Sequence, residues 1–290
     1  MKIAIIGNIT IDENDNEGNI YIGPGGSAYF IGKTLSLLNI PNIIISPLGF
    51  DFPQKYLSGL NIFSQKLKSK NLKFHNTTKN SIRTQKVEYR RSGILIDPNL
   101  IPKKFILETQ TLLFCPVIDN LTLDYLKKFK KIAKPQKIVL LPQGIFRQIE
   151  NDQSITKNGC HFIDELLPHI DFMIYSEEDC RDALINAQKW SRGETNVIVT
   201  LDKKGCDLFI KAKRTHFDTF SNDFIVDLNG AGDVFAGLLI SSLTKGFNLT
   251  KAIKFANAGA ALSKSFHSEN LNFTWKILQS IVEKGRVGRG

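Results

Sequence analysis

The feature that most constrains the fold is an alternation of short apolar runs with segments of helical spacing. Runs rich in Ile, Val and Leu are typical of buried strands, and they lie at 2–7, 42–49, 111–117, 137–142, 170–176 and 195–201. Segments with helical spacing lie at 25–40, 124–131, 162–167, 177–190, after Asp233, at 250–266 and at 274–285. Strands that alternate with helices predict an α/β fold: a doubly wound, mostly parallel sheet flanked by helices.

Two stretches interrupt this alternation. Residues 72–100 alternate in polarity and are rich in Thr, Val, Ile and charge, and a polar stretch before "IYIG" resembles a projecting hairpin. We expect these stretches to pair into a small separate sheet. The sequence therefore predicts one α/β domain over 1–290, with a β-sheet lid formed by insertions at about 12–24 and 72–102.

Composition narrows the classes of partner. The chain has 42% hydrophobic and 23% charged residues, which is ordinary for a globular protein. Its formal charge of +10 suits nucleic acid or a polyanionic small molecule. The basic residues are scattered and form no nucleic-acid module, so nucleic acid is the less favoured partner.

The sequence also disfavours a disulfide-rich, metal-binding or membrane-spanning protein. The four cysteines are far apart, and the five histidines have no metal-ligand spacing. No run approaches the roughly 18 to 20 apolar residues of a membrane helix. We therefore expect no membrane partner, and a cytoplasmic protein with reduced thiols.

Polar or glycine-containing segments follow the strand-like runs at 7–12, 141–144, 176–179, 200–205 and 227–233. In open α/β sheets, ligands bind in a crevice at the carboxyl ends of the strands. We therefore expect these five segments to converge on one site.

The last of these segments contains an unusual helix start, "DLNGAGDVFAGLL". Gly230, Ala231 and Gly232 allow close approach of a ligand to the backbone, and an apolar helix follows at Asp233. Free N–H groups at such a turn bind anions, phosphate above all. A carboxylate beside an anion site is electrostatically unfavourable unless it transfers a proton. The alternative is that Asp233 is a structural acid favoured by the helix dipole.

A second glycine-containing segment, "SAYFIGKT", nearly matches a phosphate-binding P-loop. The P-loop pattern needs a glycine at Ser27, whereas the glycine is Gly26, one position early. Apolar residues at helical spacing favour a packed helix here, with Lys33 as an exposed helix residue.

The segment "DLNGAGDVFAGLL" resembles the signature D-T-x-G-A-G-D-x-F-x-G of the PfkB, or ribokinase-like, carbohydrate kinase family. The matching positions are Asp227, Gly230, Ala231, Gly232, Asp233, Phe235 and Gly237. Further segments resemble the family in the family's order: "GNITID", "PGGSAYFIG", "PLGFDFPQKYLSGL", "LLPQGIFR", "SEEDC", "VTLDKKG" and "FANAGAAL". The resemblance covers nearly the whole chain.

This resemblance implies a kinase that transfers the γ-phosphoryl group of ATP to a hydroxyl with Mg²⁺ present. Asp233 would be the catalytic base, and the N–H groups of Gly230, Ala231 and Gly232 would form the anion hole. The resemblance further implies nucleotide contacts at Thr200, Asp202, Gly205 and Asn257. It implies acceptor contacts at Asp12, Gly25, Gly26 and Phe30, and water-mediated Mg²⁺ binding at Glu178 and Asp179.

Several of these positions have structural alternatives. Asp12 can be a turn residue, Asn257 can pack in an alanine-rich helix, and acids such as Glu178 are common at helix starts. Asp227 is either a structural acid of the turn or part of a site for a monovalent cation such as K+. Arg83, Arg90 and Arg91 on the lid are expected to be solvated charges unless one reaches the substrate or phosphate.

The chain departs from the family pattern at Ser176, Leu141, Leu228 and Phe30. Phe30 stands where sugar kinases carry an Asn that binds the sugar, and "GGSAYFIG" is closer to inositol and nucleoside kinases. An inositol-like or nucleoside acceptor is therefore favoured over ribose or fructose. The departures leave open a non-catalytic nucleotide or sugar sensor of the same fold. Because lids of this family often pair between subunits, the resemblance also implies a homodimer formed through the lid.

Overall fold

The computed structural model describes residues 2–80, 82–157 and 162–288. The strands in chain order are β1 (Lys2–Gly7), β2 (Thr10–Asn16), β3 (Asn19–Gly25), β4 (Asn42–Ile45), β5 (Ile62–Phe63), β6 (Lys73–Lys79), β7 (Ile82–Glu88), β8 (Thr109–Cys115), β9 (Lys137–Leu140), β10 (Arg147–Ile149), β11 (Ile155–Lys157), β12 (Phe172–Ser176), β13 (Asn196–Thr200), β14 (Cys206–Ile210) and β15 (Lys213–Phe217). The helices are α1 (Ser27–Leu37), α2 (Lys103–Ile106), α3 (Leu123–Ala133), α4 (Ile163–Leu166), α5 (Ala183–Trp190), α6 (Ala231–Thr244), α7 (Leu249–Ser263) and α8 (Trp275–Lys284).

A nine-stranded sheet forms the centre of the described ranges, in the order β15-β14-β13-β12-β9-β8-β1-β4-β5. The pairs from β5 to β13 are parallel, and β14 and β15 add an antiparallel edge. From β1 the chain builds outward to β4 and β5, then returns to β8 on the other side of β1. This reversal opens a crevice at the carboxyl ends of β1 and β8, where ligands of such folds bind.

Two hydrophobic cores cover the two faces of the large sheet. In β1, Ile3 and Ile5 pack on the face covered by α1, α6, α7 and α8. Ala4 and Ile6 point to the opposite face, where α3 and α5 pack. This alternation of buried side chains on both faces explains the uninterrupted apolar runs of the sequence. The prediction of a doubly wound sheet flanked by helices is confirmed.

A separate small sheet has the strand order β3-β2-β6-β7. Strand β2 pairs parallel with β6, so the hairpin near Ile20 joins the later strands through β2 rather than β3. An apolar cluster that includes Phe74, Val87 and Val117 joins this sheet to the rest of the molecule. The prediction of a small separate sheet is confirmed.

The structure differs from the sequence prediction at the start of α5. A helix was expected over 177–190, but α5 begins at Ala183. The Asp179 carboxylate accepts a hydrogen bond from the Ser176 N–H (2.9 Å), and Asp182 has a φ of 54°. These local bonds offer the backbone a turn in place of the first helical turns.

In the part of the chain that the structure describes, none of the helices combines the length and apolarity needed to cross a bilayer.

Candidate active site

A cavity lies between the small sheet and the carboxyl ends of the central strands. It contains about 470 Å³ of empty space, which includes open solvent. Its lining residues are Thr10, Asp12, Gly26, Ser27, Phe30, Phe74, Asn76, Arg83, Gln85, Val117, Gln143, Arg147, Asn229, Gly230 and Asp233. The cavity thus brings together Asp12, Gly26, Phe30, Gly230 and Asp233 from the sequence-predicted site.

The predicted anion turn leads directly into the 14-residue helix α6. Gly230 has a φ of 75°, and a Cβ there would overlap the ring of Phe30, so conformation and space both require glycine. Around Gly232 no atom lies within 4 Å of where a Cβ would be. Gly230 lines the cavity, whereas Ala231 and Gly232 do not; Gly232 is exposed, which leaves the first turn of α6 accessible from outside the protein.

A second helix also begins at the cavity. Helix α1 starts at Ser27 after Gly26, whose φ is 82° and whose Cβ would overlap the carbonyl oxygen of Asn8. Gly26 and Ser27 line the cavity. Two helix N-termini therefore face the same space, and their dipoles favour negative charge there.

The Asp233 carboxyl is half-buried at the first turn of α6. Burial raises its pKa to about 7, and the charges of Asp179 and Asp12 add to this, while a hydrogen bond from Ser27 and the charge of Arg147 oppose it. A pKa near 7 suits a group that takes up a proton at neutral pH.

Asp12 is a second cavity carboxyl with a raised pKa. Burial raises the pKa to about 6 against the hydrogen bond that the Thr10 hydroxyl donates to Oδ1 (2.5 Å). Gly25 lies against this carboxyl, because a Cβ at Gly25 would overlap it. Gly25 therefore belongs to the packing around Asp12, although it does not line the cavity.

Two arginines also line the cavity. Arg147 donates from Nη1 to the carbonyl oxygen of Val117 (2.7 Å) and from Nη2 to Oε1 of Gln85 (3.3 Å). Arg83 donates from Nη2 to Oδ1 of Asn229, the residue before Gly230 (2.9 Å). Sequence reasoning gave Arg147 no role, although "LLPQGIFR" is one of the segments that carry the family resemblance.

The four predicted nucleotide residues lie outside the cavity lining. Thr200 ends β13, and Asp202 forms an ion pair with Lys264 (2.7 Å). Gly205 has a φ of 91°, and a Cβ there would overlap the carbonyl oxygen of Phe217. Asn257 is buried and donates to the carbonyl oxygen of Asp218 (3.0 Å).

The residues expected at the metal sites have different surroundings. Asp179 accepts a hydrogen bond from Nε2 of Gln143 (3.3 Å), whereas Glu178 is exposed. In the described ranges, no group of three or more His, Cys, Asp or Glu could hold a metal ion.

Asp227, the candidate ligand of a monovalent cation, is buried. Its Oδ1 accepts bonds from the backbone N–H (2.9 Å) and side-chain amide (2.8 Å) of Asn229. Its Oδ2 lies 3.8 Å from Nδ1 of His267. These contacts connect Asp227 to the segment just before helix α6.

A doubly wound sheet whose helix N-terminus and carboxylate face one cavity defines a phosphotransferase that acts on alcohol groups. The chain belongs to the pfkB family of carbohydrate kinases, whose family description matches residues 3–272. It is therefore a carbohydrate or nucleoside kinase. Kinases of the ribokinase family typically use ATP with Mg²⁺.

Individual proteins are similar over most of the chain. A protein of Buchnera aphidicola, described as an uncharacterized sugar kinase, is 27% identical over 82% of this chain and 78% of its own length. A Burkholderia thailandensis nucleoside kinase, solved with inosine, has a TM-score of 0.76 at 14% identity and covers 100% of this chain and 99% of its own. A pyrophosphate-dependent kinase of the ribokinase family was solved with a pyrophosphate analogue and myo-inositol. It has a TM-score of 0.72 at 16% identity, and the match covers 91% of this chain and 95% of its own. At these identities the two solved structures support the fold alone.

Proposed function

We propose that this chain transfers the γ-phosphoryl group of ATP to a hydroxyl of a small polyol, sugar or nucleoside, with Asp233 as the catalytic base. The observation that carries the proposal is the juxtaposition of Asp233 and Gly230 in one cavity. The raised pKa of Asp233 supports the role of a base, and the open space at Gly232 supports phosphate binding at the turn.

In this reaction the acceptor hydroxyl gives its proton to the Asp233 carboxylate while its oxygen attacks the γ-phosphorus. The bond from phosphorus to the β,γ-bridging oxygen breaks, and ADP leaves with that electron pair. The N–H groups of Gly230, Ala231 and Gly232 stabilise the charge on the migrating group. Mg²⁺, when bound, neutralises charge on the phosphates, and Asp179 and Glu178 hold it through water.

For the nucleotide, we propose contacts with Thr200, Asp202, Gly205 and Asn257. All four lie at or beyond the carboxyl end of β13 or on helix α7, which packs against α6. Their position on the α6 side of the sheet supports a nucleotide whose terminal phosphate reaches the anion turn. We also propose Asp227 as a candidate ligand of K+. The dependence of activity on the K+ concentration tests this.

For the acceptor, we propose binding between Asp12 and the wall formed by Gly26 and Phe30, with Gly25 supporting Asp12. The Phe30 ring is buried and packs against Gly230. A ring in place of a hydrogen-bonding amide supports an inositol-like or nucleoside acceptor over ribose or fructose. Structures of nucleoside kinases, ribokinases and an inositol kinase are all similar to this chain, so the proposal rests on Phe30 and not on the comparisons.

We further propose that the small sheet is the lid of a single kinase domain and that two copies pair through it. Ile20 and Ile22, both exposed on β3, support such pairing. Sedimentation of the Ile20→Ser variant, with a shift toward monomer expected, tests it. Among the described residues, the thiols of Cys115 and Cys206 are buried and form no disulfide, which suits a cytoplasmic setting.

The central test is a coupled assay of ADP production against inositols, nucleosides, sugars and their charged derivatives. We expect turnover with at least one acceptor and a loss of about 10²–10⁴-fold in kcat for Asp233→Asn, with ATP binding kept. The matched control is Asp223→Asn, an exposed aspartate ten positions earlier, which should leave kcat unchanged. Near-normal turnover by Asp233→Asn, or ATP binding without turnover of any acceptor, would contradict the proposal.

A further inference from the structure

The cavity contains two guanidinium groups without an acidic partner. Arg83 and Arg147 both line it, and among the described residues no carboxylate lies within 4.0 Å of either one. Arginine pairs readily with carboxylate and phosphate, so two arginines facing a cavity without such a partner indicate a negatively charged ligand.

Arg147 is held in place before any ligand binds. Its guanidinium lies over the Phe74 ring, 5.2 Å from the centroid, and donates to Val117 and Gln85. These contacts fix the side chain with carbonyl oxygens and a ring, none of which neutralises its charge. A guanidinium positioned in this way is preorganised for an incoming anion.

The amides beside Arg147 are occupied by one another. Gln85 donates to Oδ1 of Asn76 (2.7 Å), and Asn76 donates to Oδ1 of Asn14 (2.8 Å). This row across the small sheet ends on Arg147, because Oε1 of Gln85 accepts its hydrogen bond. The amides therefore hold Arg147 in position. Amides without such partners could instead have formed hydrogen bonds with neutral hydroxyl groups of a ligand.

The charges around Arg147 do not cancel at close range. Burial lowers its pKa to about 10, which leaves it protonated at neutral pH; Arg83 lowers the pKa further, while Asp179, Asp12 and Asp233 raise it over longer distances. Asp12 and Asp233 have raised pKa values themselves, so part of their negative charge is absent near neutral pH. A ligand anion would relieve the repulsion between the two arginines.

We infer that the acceptor carries a phosphate or carboxylate group, which Arg147 and Arg83 bind. The inference rests on the proposed kinase function and specifies its substrate class: a polyol ring with an anionic substituent. Arg147 carries the argument because it contacts Phe74 and Gln85 on the small sheet. Arg83 contacts Asn229 beside Gly230, so it also lies near the migrating phosphoryl group.

The test compares matched acceptors that differ only in charge: a sugar or cyclitol, its monophosphate and its acid. We expect kcat/KM of the wild-type enzyme to be at least about 10-fold higher for a charged member. In Arg147→Gln this preference should fall by about 10–100-fold, the range expected for losing charge-assisted hydrogen bonds. The KM for ATP should change little. Because the charge of Arg147 also lowers the pKa of Asp233, the acceptors are compared at about pH 9, where the Asp233 carboxylate is ionised in both enzymes. Lys86→Gln, which removes an exposed positive charge from the same strand as Gln85, is the matched control and should keep the preference.

A second variant covers the case in which Arg147→Gln does not fold. Gln85→Glu keeps the shape of the side chain and places a carboxylate against Arg147. It should raise the KM for the charged acceptor about 10-fold or more and spare the neutral one. The phosphate and acid arms identify which anion is bound.

Three outcomes overturn the inference. Equal or better use of neutral acceptors overturns the inference alone. A rise in the KM for ATP in Arg147→Gln, with all acceptors affected equally, assigns the arginine to the donor phosphate and also overturns it alone. Absence of turnover with every acceptor overturns the proposed function and the inference together.

Discussion

The polar side chains of the cavity and those of the predicted nucleotide region differ in whether they have hydrogen-bond or ion-pair partners within the protein. In the cavity, Asp233 and Asp12 have pKa values raised by burial, and Arg147 lies without a carboxylate partner within 4.0 Å in the described chain. In the nucleotide region, Asp202 is paired with Lys264, and Asn257 donates to the backbone of Asp218.

This difference indicates which polar groups have an unfavourable free energy in the unliganded protein. The polar groups of the cavity are costly in the free protein, and a bound substrate or a transferred proton relieves that cost. The nucleotide region is shaped by its own internal contacts, so we expect its residues to affect affinity and stability more than the chemical step. The predictions below test this division, from the largest expected effect to the smallest.

Gly230→Ala should have the largest effect. The variant forces a Cβ into a residue with a φ of 75° and against the Phe30 ring, which displaces the anion turn. We expect kcat/KM to fall at least about 100-fold, as for loss of oxyanion stabilisation, and stability to fall by about 1–3 kcal/mol from overpacking. Steady-state kinetics and denaturant unfolding measure both.

Gly246→Ala is the matched control for Gly230→Ala. Gly246 also has a positive φ, 85°, but a Cβ there would meet no atom within 4 Å. It should lose roughly 1 kcal/mol through backbone strain and keep full activity. Equal activity losses in the two variants would show that strain, rather than the anion turn, determines the effect.

The pH dependence of activity should reflect the Asp233 carboxyl. Because burial raises its pKa to about 7, the carboxylate needed as base is lost below this pH, and kcat/KM should fall about tenfold per pH unit there. Above about pH 7 the profile should be flat to pH 9, since Arg147 titrates only near 10.

Asp179→Asn sharpens the pH prediction. The negative charge of Asp179 helps to raise the pKa of Asp233, so its removal should move the acidic midpoint to lower pH. A midpoint near 4 in the wild-type enzyme would mean that Asp233 is not buried in the active form.

Features of the fold and site that depend on local sequence can be predicted from the sequence alone. The two-face burial of β1 and the glycines at 230 and 232 are local signals, so the sheet, the anion turn and the neighbourhood of Asp233 follow from pattern and resemblance. The small sheet follows as well from the alternation over 72–100, although its strands end at Glu88 and residues 90–93 and 98–100 form short 3-10 helices instead. The start of α5 does not, since the bond from the Ser176 N–H to Asp179 competes with a helix that the composition favours.

The arginine side of the cavity could not be found from local pattern. Arg147 and Gln85 are 62 residues apart and meet only because β7 of the small sheet lies against the hairpin of β10 and β11. A lone arginine in "GIFRQ" or "SIRTQ" looks like a solvated charge. Long-range packing decides which charges line a cavity, and single-sequence patterns carry little of it.

Asn257→Ala should have a moderate effect on both stability and nucleotide affinity. It leaves the carbonyl oxygen of Asp218 without its buried donor, which should cost about 1–3 kcal/mol. The KM for ATP should rise several-fold, with the KM for the acceptor unchanged. Ser263→Ala, which removes a buried hydroxyl from the same helix (Oγ donates to the carbonyl oxygen of Ala260, 3.0 Å), is the control for stability loss alone. An unchanged KM for ATP would make Asn257 a purely structural residue.

The smallest effect should be a contrast in stability between two aspartates. Burial raises the pKa of Asp233, so its contribution to stability is complete below the unfolded pKa near 4 and is lost as pH rises to about 7. Asp233→Asn should therefore gain about 1–2 kcal/mol over wild type between pH 4 and pH 8. This is less than the roughly 4 kcal/mol of the full shift, because the carboxyl keeps contact with cavity water.

For Asp202, burial opposes ionisation, but the hydrogen bond and charge of Lys264 outweigh it and lower the pKa. Asp202→Asn should therefore lose stability at pH 8, by less than about 1 kcal/mol for so exposed a pair, and that loss should vanish as pH falls through the acidic range. Urea unfolding at pH 4, 6 and 8 measures both slopes; slopes of the same sign would remove the distinction between the two regions.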